Sequence, residues 1–315
     1  METKTTNRLI VFVFKHQLRA RRLLFRLYSK LTKNNRPSSY PYPSGDSYRA
    51  LANHIHDETI TFDPSHVNPG EIIFVSNPLL LAYLKNIHPK IKNPYILIEH
   101  NGDNDVGKEV ADLLDENIIR FYAQDNIYKH EKITPIPIAL ENWYYYMNGI
   151  PSVYNMIQKK AIKYVPFKKN NILYRFSIHT NPSVRGPAHR YCNQHPLMET
   201  FTEMLPPTLH IRKLMTYKFV FSPPGNAIES CRTWEALYVR TVPIVKDSVA
   251  MRYFESIGLP IWIIKEWNEL DGLTEFDLAR RYDNFIKKAK WDALHMDFWK
   301  KLINEDKKRF FDLNK

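Results

Sequence analysis

Compact apolar runs of strand length alternate along this chain with stretches of helical character. Glu71–Val75 (EIIFV) and Tyr95–Glu99 (YILIE) are the strongest, Ile118–Tyr122 and Ile133–Ile138 follow, and Ile60–Phe62 is a weaker one ahead of them. Pro78–Ile87 and Lys108–Asp115 read as helices in between. A second series begins with a helix over Pro151–Lys160 and continues through the runs Asn171–Phe176, Lys218–Ser222, Val242–Lys246 and IWIIKEW at 261–267. Helices are expected to open after HTNPSVR, with Thr180 or Asn181 as N-cap and Pro182 at the first helical position, and over Ser230–Val239. In the last 45 residues Leu278, Tyr282, Phe285 and Ile286 recur at roughly helical spacing. Apolar strands alternating with helices predict parallel sheets in an α/β protein. Two successive series predict two lobes with a cleft between them, in which ligands sit outside the carboxyl ends of the strands. The expected boundaries are a tail over 1–36, an N-terminal lobe over 37–150, a C-terminal lobe over 151–275, and helices over 276–315 that pack back on the body.

Charge changes this picture at one end only. Of the net +12, residues 1–36 carry +9, with ten Lys/Arg against the single acid Glu2. The proline-rich RPSSYPYPS (36–44) separates this tail from a near-neutral body, so nucleic-acid binding is not expected of the protein as a whole. The apolar run Leu9–Phe14 is far shorter than the roughly 20 residues that span a bilayer. Further on, Ala20, Leu24, Leu27, Tyr28 and Leu31 recur at helical spacing, with Arg19, Arg22, Arg26, Lys30 and Lys33 on the other side. Residues 8–33 thus form a basic amphipathic helix suited either to an anionic membrane surface or to docking on its own domain. The two cysteines, Cys192 and Cys231, fit a fold that does not depend on disulfides, and a cytoplasmic or peripheral membrane location is expected.

Chemistry concentrates in FSPPGNAIESCRTWEAL, residues 221–237, where a strand-like run meets a turn and then a helix. A helix N-terminus offers unpaired N–H groups and the positive end of a dipole, and Gly225 allows close backbone approach. Arg232 and Glu235, three apart, share a helix face. A cation there suits a diphosphate and a carboxylate suits a ribose diol, although an ordinary helical ion pair has the same spacing.

The stretch KFVFSPPGNAIESCRTWEALYVRTVPIV resembles the signature of exostosin-like glycosyltransferases, which have the GT-B architecture of two facing Rossmann-like lobes. SGDSYRALA (44–52), NPYILIEHNGD (93–103), FYAQDN (121–126), PIPIALEN (135–142) and FSIHTNPSVR (176–185) are similar to further blocks of that family in the expected order. Ala227 and Cys231 stand where the family pattern leads one to expect glycine and histidine, and Ala139 where it leads one to expect glycine. The resemblance implies an inverting, metal-independent transfer of a sugar from a nucleotide-diphosphate sugar, a UDP-sugar by family analogy, to a glycan or glycolipid. No cofactor is implied. Ser222, Gly225, Asn226, Arg232 and Glu235 would bind the donor, with Arg185 and Asn181 as further candidates.

Inversion needs a group to take the acceptor's proton. The N-terminal lobe offers His100 and Asp103 in IEHNGDND, at a strand's carboxyl end, with Asp46 in SGDS as the rival. Each also has an ordinary role open to it, as a turn, cap or hydrogen-bonding residue. His54, His56 and Asp57 would point apart on the helix expected there, and His189, Cys192 and His195 are spaced too loosely for a metal site. The aromatic stretch Trp143–Met147 is expected to pack the lobe junction rather than to stack on sugars. Two alternatives to an enzyme remain at this point: a non-catalytic relative that binds nucleotide sugar or glycan, and a basic adaptor acting through its tail.

Overall fold

The computed structural model describes residues 36–143, 149–201 and 205–314, together with the helical positions His16, Arg19, Ala20, Leu23, Leu24 and Leu27 ahead of them. Most of the aromatic stretch after Trp143 lies outside the described residues. In the N-terminal lobe, β1 (His54–His56), β2 (Ile72–Ser76), β3 (Tyr95–His100), β4 (Ile118–Ala123) and β5 (Ile133–Pro135) lie side by side in chain order, each parallel to the next. In the C-terminal lobe, β6 (Lys169–Tyr174), β7 (Met198–Glu199), β8 (Tyr217–Phe221), β9 (Val242–Lys246) and β10 (Trp262–Ile264) take the order β10-β9-β8-β6-β7, again all parallel. This is the α/β architecture expected from the sequence, two lobes each built on a five-stranded parallel sheet.

Helices α1 (Gly45–Arg49), α2 (Leu80–Asn86), α3 (Lys108–Ala111) and α4 (Pro151–Tyr164) accompany the first sheet and the crossing to the second. Then come α5 (Pro182–Gln194), α6 (Pro207–Met215), α7 (Cys231–Tyr238), α8 (Val249–Ser256), α9 (Glu275–Lys288) and α10 (Met296–Leu313).

Strand side chains alternate between two buried faces, which is why these strands read as continuous apolar runs. Ile73, Val75, Leu97, Phe121 and Ala123 fill one face of the first sheet, while Phe74, Ile96, Ile98 and Tyr122 fill the other. In the second sheet, Ile172, Phe219, Phe221 and Ile244 pack outward under α5 and α9, and Leu173, Val220 and Val245 point inward. The inward faces of both sheets belong to one apolar cluster shared by the lobes. Its aromatic centre is Tyr42, Tyr154 and Tyr238, with ring centroids 5.0–5.8 Å apart. The last helix, α10, crosses back to the first lobe: Trp299 packs edge-on to Tyr48, and Asp306 accepts hydrogen bonds from Arg120 Nε (3.0 Å) and Tyr122 Oη (2.7 Å).

Three local expectations need correction. The first strand is His54–His56 rather than Ile60–Phe62, and the helix expected at the histidines is absent. Asn53 fixes this edge strand by exchanging hydrogen bonds with the backbone of Ile72, a pairing no apolar run announces. His54 contacts Glu71 (2.7 Å), His56 contacts Thr61 (3.1 Å), and Asp57 holds Arg49 (2.7 Å), so the three groups are engaged separately. The expected helix Lys108–Asp115 is only the single turn Lys108–Ala111, because Asp115 and Asn117 turn the chain into β4.

Candidate functional site

In the second sheet the chain leaves β6 toward β7 on one side and returns to β8 on the other. Such a reversal opens a crevice at the carboxyl ends of the two strands, the usual ligand position in an open parallel sheet. Arg175 and Phe176 follow β6 there, and Ser222–Asn226 follow β8. Ser222 Oγ lies 3.1 Å from Ser230 Oγ and 2.9 Å from Thr233 Oγ1, which joins the end of β8 to the start of α7. Ser230, the N-cap of α7, makes no side-chain capping bond, so its hydroxyl takes up none of the first-turn N–H groups, while the Thr233 N–H donates to the Ser230 carbonyl (3.0 Å).

Two of the expected donor residues build the frame of this crevice. Arg185 donates through Nε to the Pro224 carbonyl (2.7 Å), through Nη1 to the Ser177 carbonyl (3.0 Å) and to Thr180 Oγ1, and through Nη2 to the Pro223 carbonyl (3.4 Å). A Cβ on Gly225 would stand 3.0 Å from Arg185 Nη2, so glycine is what lets the guanidinium lie against the turn. Asn181 caps α5 by accepting from the Val184 N–H (3.3 Å) and donates to the Gly225 carbonyl (2.8 Å). Together they stitch the β6 loop to the β8 loop.

Arg232 is placed differently. Its Nε and Nη1 are sealed from solvent and donate to no group, and its guanidinium sits 5.9 Å from the centroid of Phe176. Arg185 lies 5.7 Å from the same ring, and Arg175, bonded to the Phe201 carbonyl (2.7 Å), lies over the ring of Phe201. Burial and then repulsion from Arg185 lower Arg232 to about 10. Burial, reinforced by Arg232 and Arg175, drives His210 down to about 4 and keeps it neutral. Glu235 lies 3.8 Å from His210 Nε2; burial pushes it up to about 7, with Arg232 opposing and Glu141 adding to the shift. Buried polar groups without partners are costly and rare, and Arg232 holds two such nitrogens beside two further guanidinium groups.

The neighbouring cleft, about 620 Å³, is lined by strand-end loops of the first lobe and closed on the other side by Cys231, the residue before Arg232. His100, Asp103, Asn142 and Glu141 line it, with Arg36 and Glu58 at another wall. His100 is already committed. Its Nε2 donates to the Pro137 carbonyl (3.1 Å), its Nδ1 accepts from the Asn101 N–H (2.7 Å), and burial lowers it to about 4. Asp46 lies buried beneath Arg36 (3.5 Å), and burial, against the pull of Arg36 and Arg49, raises it to about 6. Asp103 accepts from Asn226 Nδ2 (3.1 Å), which ties one expected base to one expected donor residue across the lobes.

The structure therefore brings Ser222, Gly225, Asn226, Arg232, Glu235, Arg185 and Asn181 into one crevice, and His100 and Asp103 into the facing cleft, with Asp46 behind its wall. Glu141 was not singled out in the sequence. It lines the cleft, and its charge raises Glu235, Cys231 and Tyr154 alike, which places it at the junction of cleft and crevice. The one available signal was its position in PIPIALEN, a few residues past the run Ile133–Ile138. Ala139, in the same segment, takes φ 50°, a backbone angle glycine adopts more readily. The Cys231 thiol is pushed well up, first by burial and then by Glu235 and Glu141, which makes it a poor nucleophile.

No family model matches the chain, and no curated protein matches it in sequence. Among solved structures, the α,α-trehalose-6-phosphate synthase of Burkholderia multivorans is similar at 8% identity over 79% of this chain and 74% of its own, with a TM-score of 0.42. The UDP-forming α,α-trehalose-phosphate synthase of Burkholderia vietnamiensis gives the same figures. That of Burkholderia xenovorans gives 9% identity, 77% and 74% coverage, and a TM-score of 0.41. At this distance the likeness carries no statement about ligands.

Proposed function

We propose that this protein is a glycosyltransferase that moves a sugar, with inversion, from a nucleotide-diphosphate sugar to a glycan or glycolipid acceptor without a catalytic metal. One observation carries the reading: Arg232, half-buried with its Nε and Nη1 sealed from solvent and without partners, stands in an arginine cluster at the strand reversal where an open parallel sheet takes its ligand. The diphosphate occupies the first turn of α7 and the Arg232 guanidinium, and Glu235 accepts from the ribose hydroxyls. The resemblance of residues 218–245 to the exostosin-like signature supports the same assignment and suggests uridine as the base.

Transfer proceeds as the acceptor oxygen attacks the anomeric carbon from the cleft side. The bond from that carbon to the diphosphate oxygen breaks, its electron pair leaves with the diphosphate, and Arg232 and the α7 N–H groups stabilise the charge that develops. The acceptor's proton passes to a carboxylate on the cleft. Glu141 suits this role better than the committed His100 or the covered Asp46, because it lies between cleft and crevice.

The test is thermal stabilisation by a panel of nucleotide diphosphates and their sugars. Selective stabilisation of the wild type, lost in Arg232→Ala and Glu235→Ala variants that remain folded, supports the reading. A well-folded wild type that responds to none of them sinks it.

A further inference from the structure

The described positions of the basic tail, Arg19, Ala20, Leu23, Leu24 and Leu27 among them, are helical and exposed, the three leucines by 61%, 65% and 52%. Successive residues of a helix are turned by about 100°. On that projection Ala20, Leu23, Leu24, Leu27, Tyr28 and Leu31 fall on one arc, and Lys15, Arg19, Arg22, Arg26, Lys30 and Lys33 fall on another. The charge belongs to this segment, since residues 1–36 hold +9 of the net +12. Each kind of partner uses different parts of such a helix. A nucleic acid would take up the cations and leave the leucine arc in water, and an apolar protein groove would take up the leucines and leave the cations unused. An anionic bilayer surface uses both arcs at once, with the apolar face at the acyl boundary and the cations at the lipid phosphates. Among the described residues no helix is long and apolar enough to cross a membrane.

We infer that the tail docks the protein in the plane of an anionic lipid bilayer. This goes beyond the transfer reaction and does not depend on it.

The test uses the full chain and co-sedimentation with vesicles of phosphatidylcholine, with or without phosphatidylglycerol. Binding is expected only to vesicles containing phosphatidylglycerol, and it falls as salt is raised. The triple change Arg19→Glu, Arg22→Glu, Arg26→Glu is expected to weaken it more than a hundredfold, at about fivefold or more per cation lost. The triple change Leu23→Ser, Leu24→Ser, Leu27→Ser is expected to weaken it more than about tenfold, because each leucine returns to water. Both variants should melt with the wild type, so lost binding is not lost folding. Four outcomes overturn the inference: no binding to anionic vesicles, equal binding to pure phosphatidylcholine, binding indifferent to the leucine change, or a duplex DNA oligonucleotide that displaces the protein from vesicles. The nucleotide response of the body reads out separately and moves with none of these.

Discussion

Asp125, just past β4 in the first lobe, accepts the backbone N–H of Glu229 in the second at 3.4 Å, and its charge raises the proton affinity of the Glu229 carboxylate. Both side chains are buried. Gln124 Nε2 contacts Asp125 Oδ2, while Glu229 accepts from Trp234 Nε1 (2.7 Å) and from the Ile138 N–H (3.4 Å), with its Oε1 left without a partner. Asp103 and Asp105 add negative charge near Asp125. Burial first, and then the neighbouring carboxylates, push Asp125 up to about 7 and Glu229 well above the usual carboxylate range. Two acids therefore meet where the lobes meet, and closing the lobes favours their protonation.

A pH dependence follows, with a definite sign. A carboxyl whose folded pKa is raised costs nothing while it is protonated in both states, and its penalty grows as pH rises from the unfolded value, about 4, through the folded one. The melting temperature of Asp125→Asn should therefore gain on the wild type as pH rises from 5 to about 7. The difference between the two proteins is the quantity to measure, since buried neutral His100 and His210 act in the opposite direction on both. A difference that stays flat across that range would show that the pair does not titrate.

Arg232→Met should separate stability from binding. Removing the buried, partnerless Nε and Nη1 should raise stability by about 1–3 kcal/mol, the usual cost of an unsatisfied buried polar group. The same change should abolish stabilisation by nucleotide diphosphates and reduce transfer by about 10²–10³-fold. A variant that melts below the wild type would mean that the guanidinium is satisfied in the unliganded protein.

Arg185→Met is expected to behave in the opposite way. Four hydrogen-bonding partners hold this side chain to the β6 and β8 loops, and hydrogen bonds to charged groups contribute about 1.5–3 kcal/mol each. Loss of at least about 3 kcal/mol is expected, read as a lower denaturant midpoint. Arg185→Lys should not restore it, because an ammonium does not reproduce the planar fork.

Glu141→Gln should leave nucleotide-diphosphate binding intact and lower transfer by about 10²–10⁴-fold. Parallel measurement of His100→Gln decides between the two as proton acceptor, and a larger loss in the histidine variant would reassign the role.

How much of this was legible in the sequence depends on the range of the interaction that decides it. Strands such as Tyr95–His100 announce themselves because both faces are buried and the run Tyr95–Ile98 is apolar at every position. The edge strand His54–His56 does not, because its pairing with β2 is made by backbone groups and Asn53. Arg232 and Glu235 were found because a strand, a turn and a helix stand together in one short segment. Their contrast with Arg185 was not readable, because a framing arginine and an unpaired one differ only in what surrounds them in space. Glu141 was missed for the same reason: its relation to Glu235 spans 94 residues and exists only once the lobes have closed on each other.

The crossing of α10 back to the first lobe bears on how the chain is made. Tyr122 and its acceptor Asp306 are 184 residues apart, and Trp299 and Ile303 cover the inward apolar face that Phe74, Ile96, Ile98 and Tyr122 present. At a synthesis rate of about 5–20 residues per second, roughly 10–40 s separate the emergence of β4 from that of the helix that covers it. Throughout that interval the first sheet has one face packed and one face open to water. The lobe synthesised first is thus completed last, and a nascent chain paused within the second lobe would present that open face to chaperones and to other nascent chains.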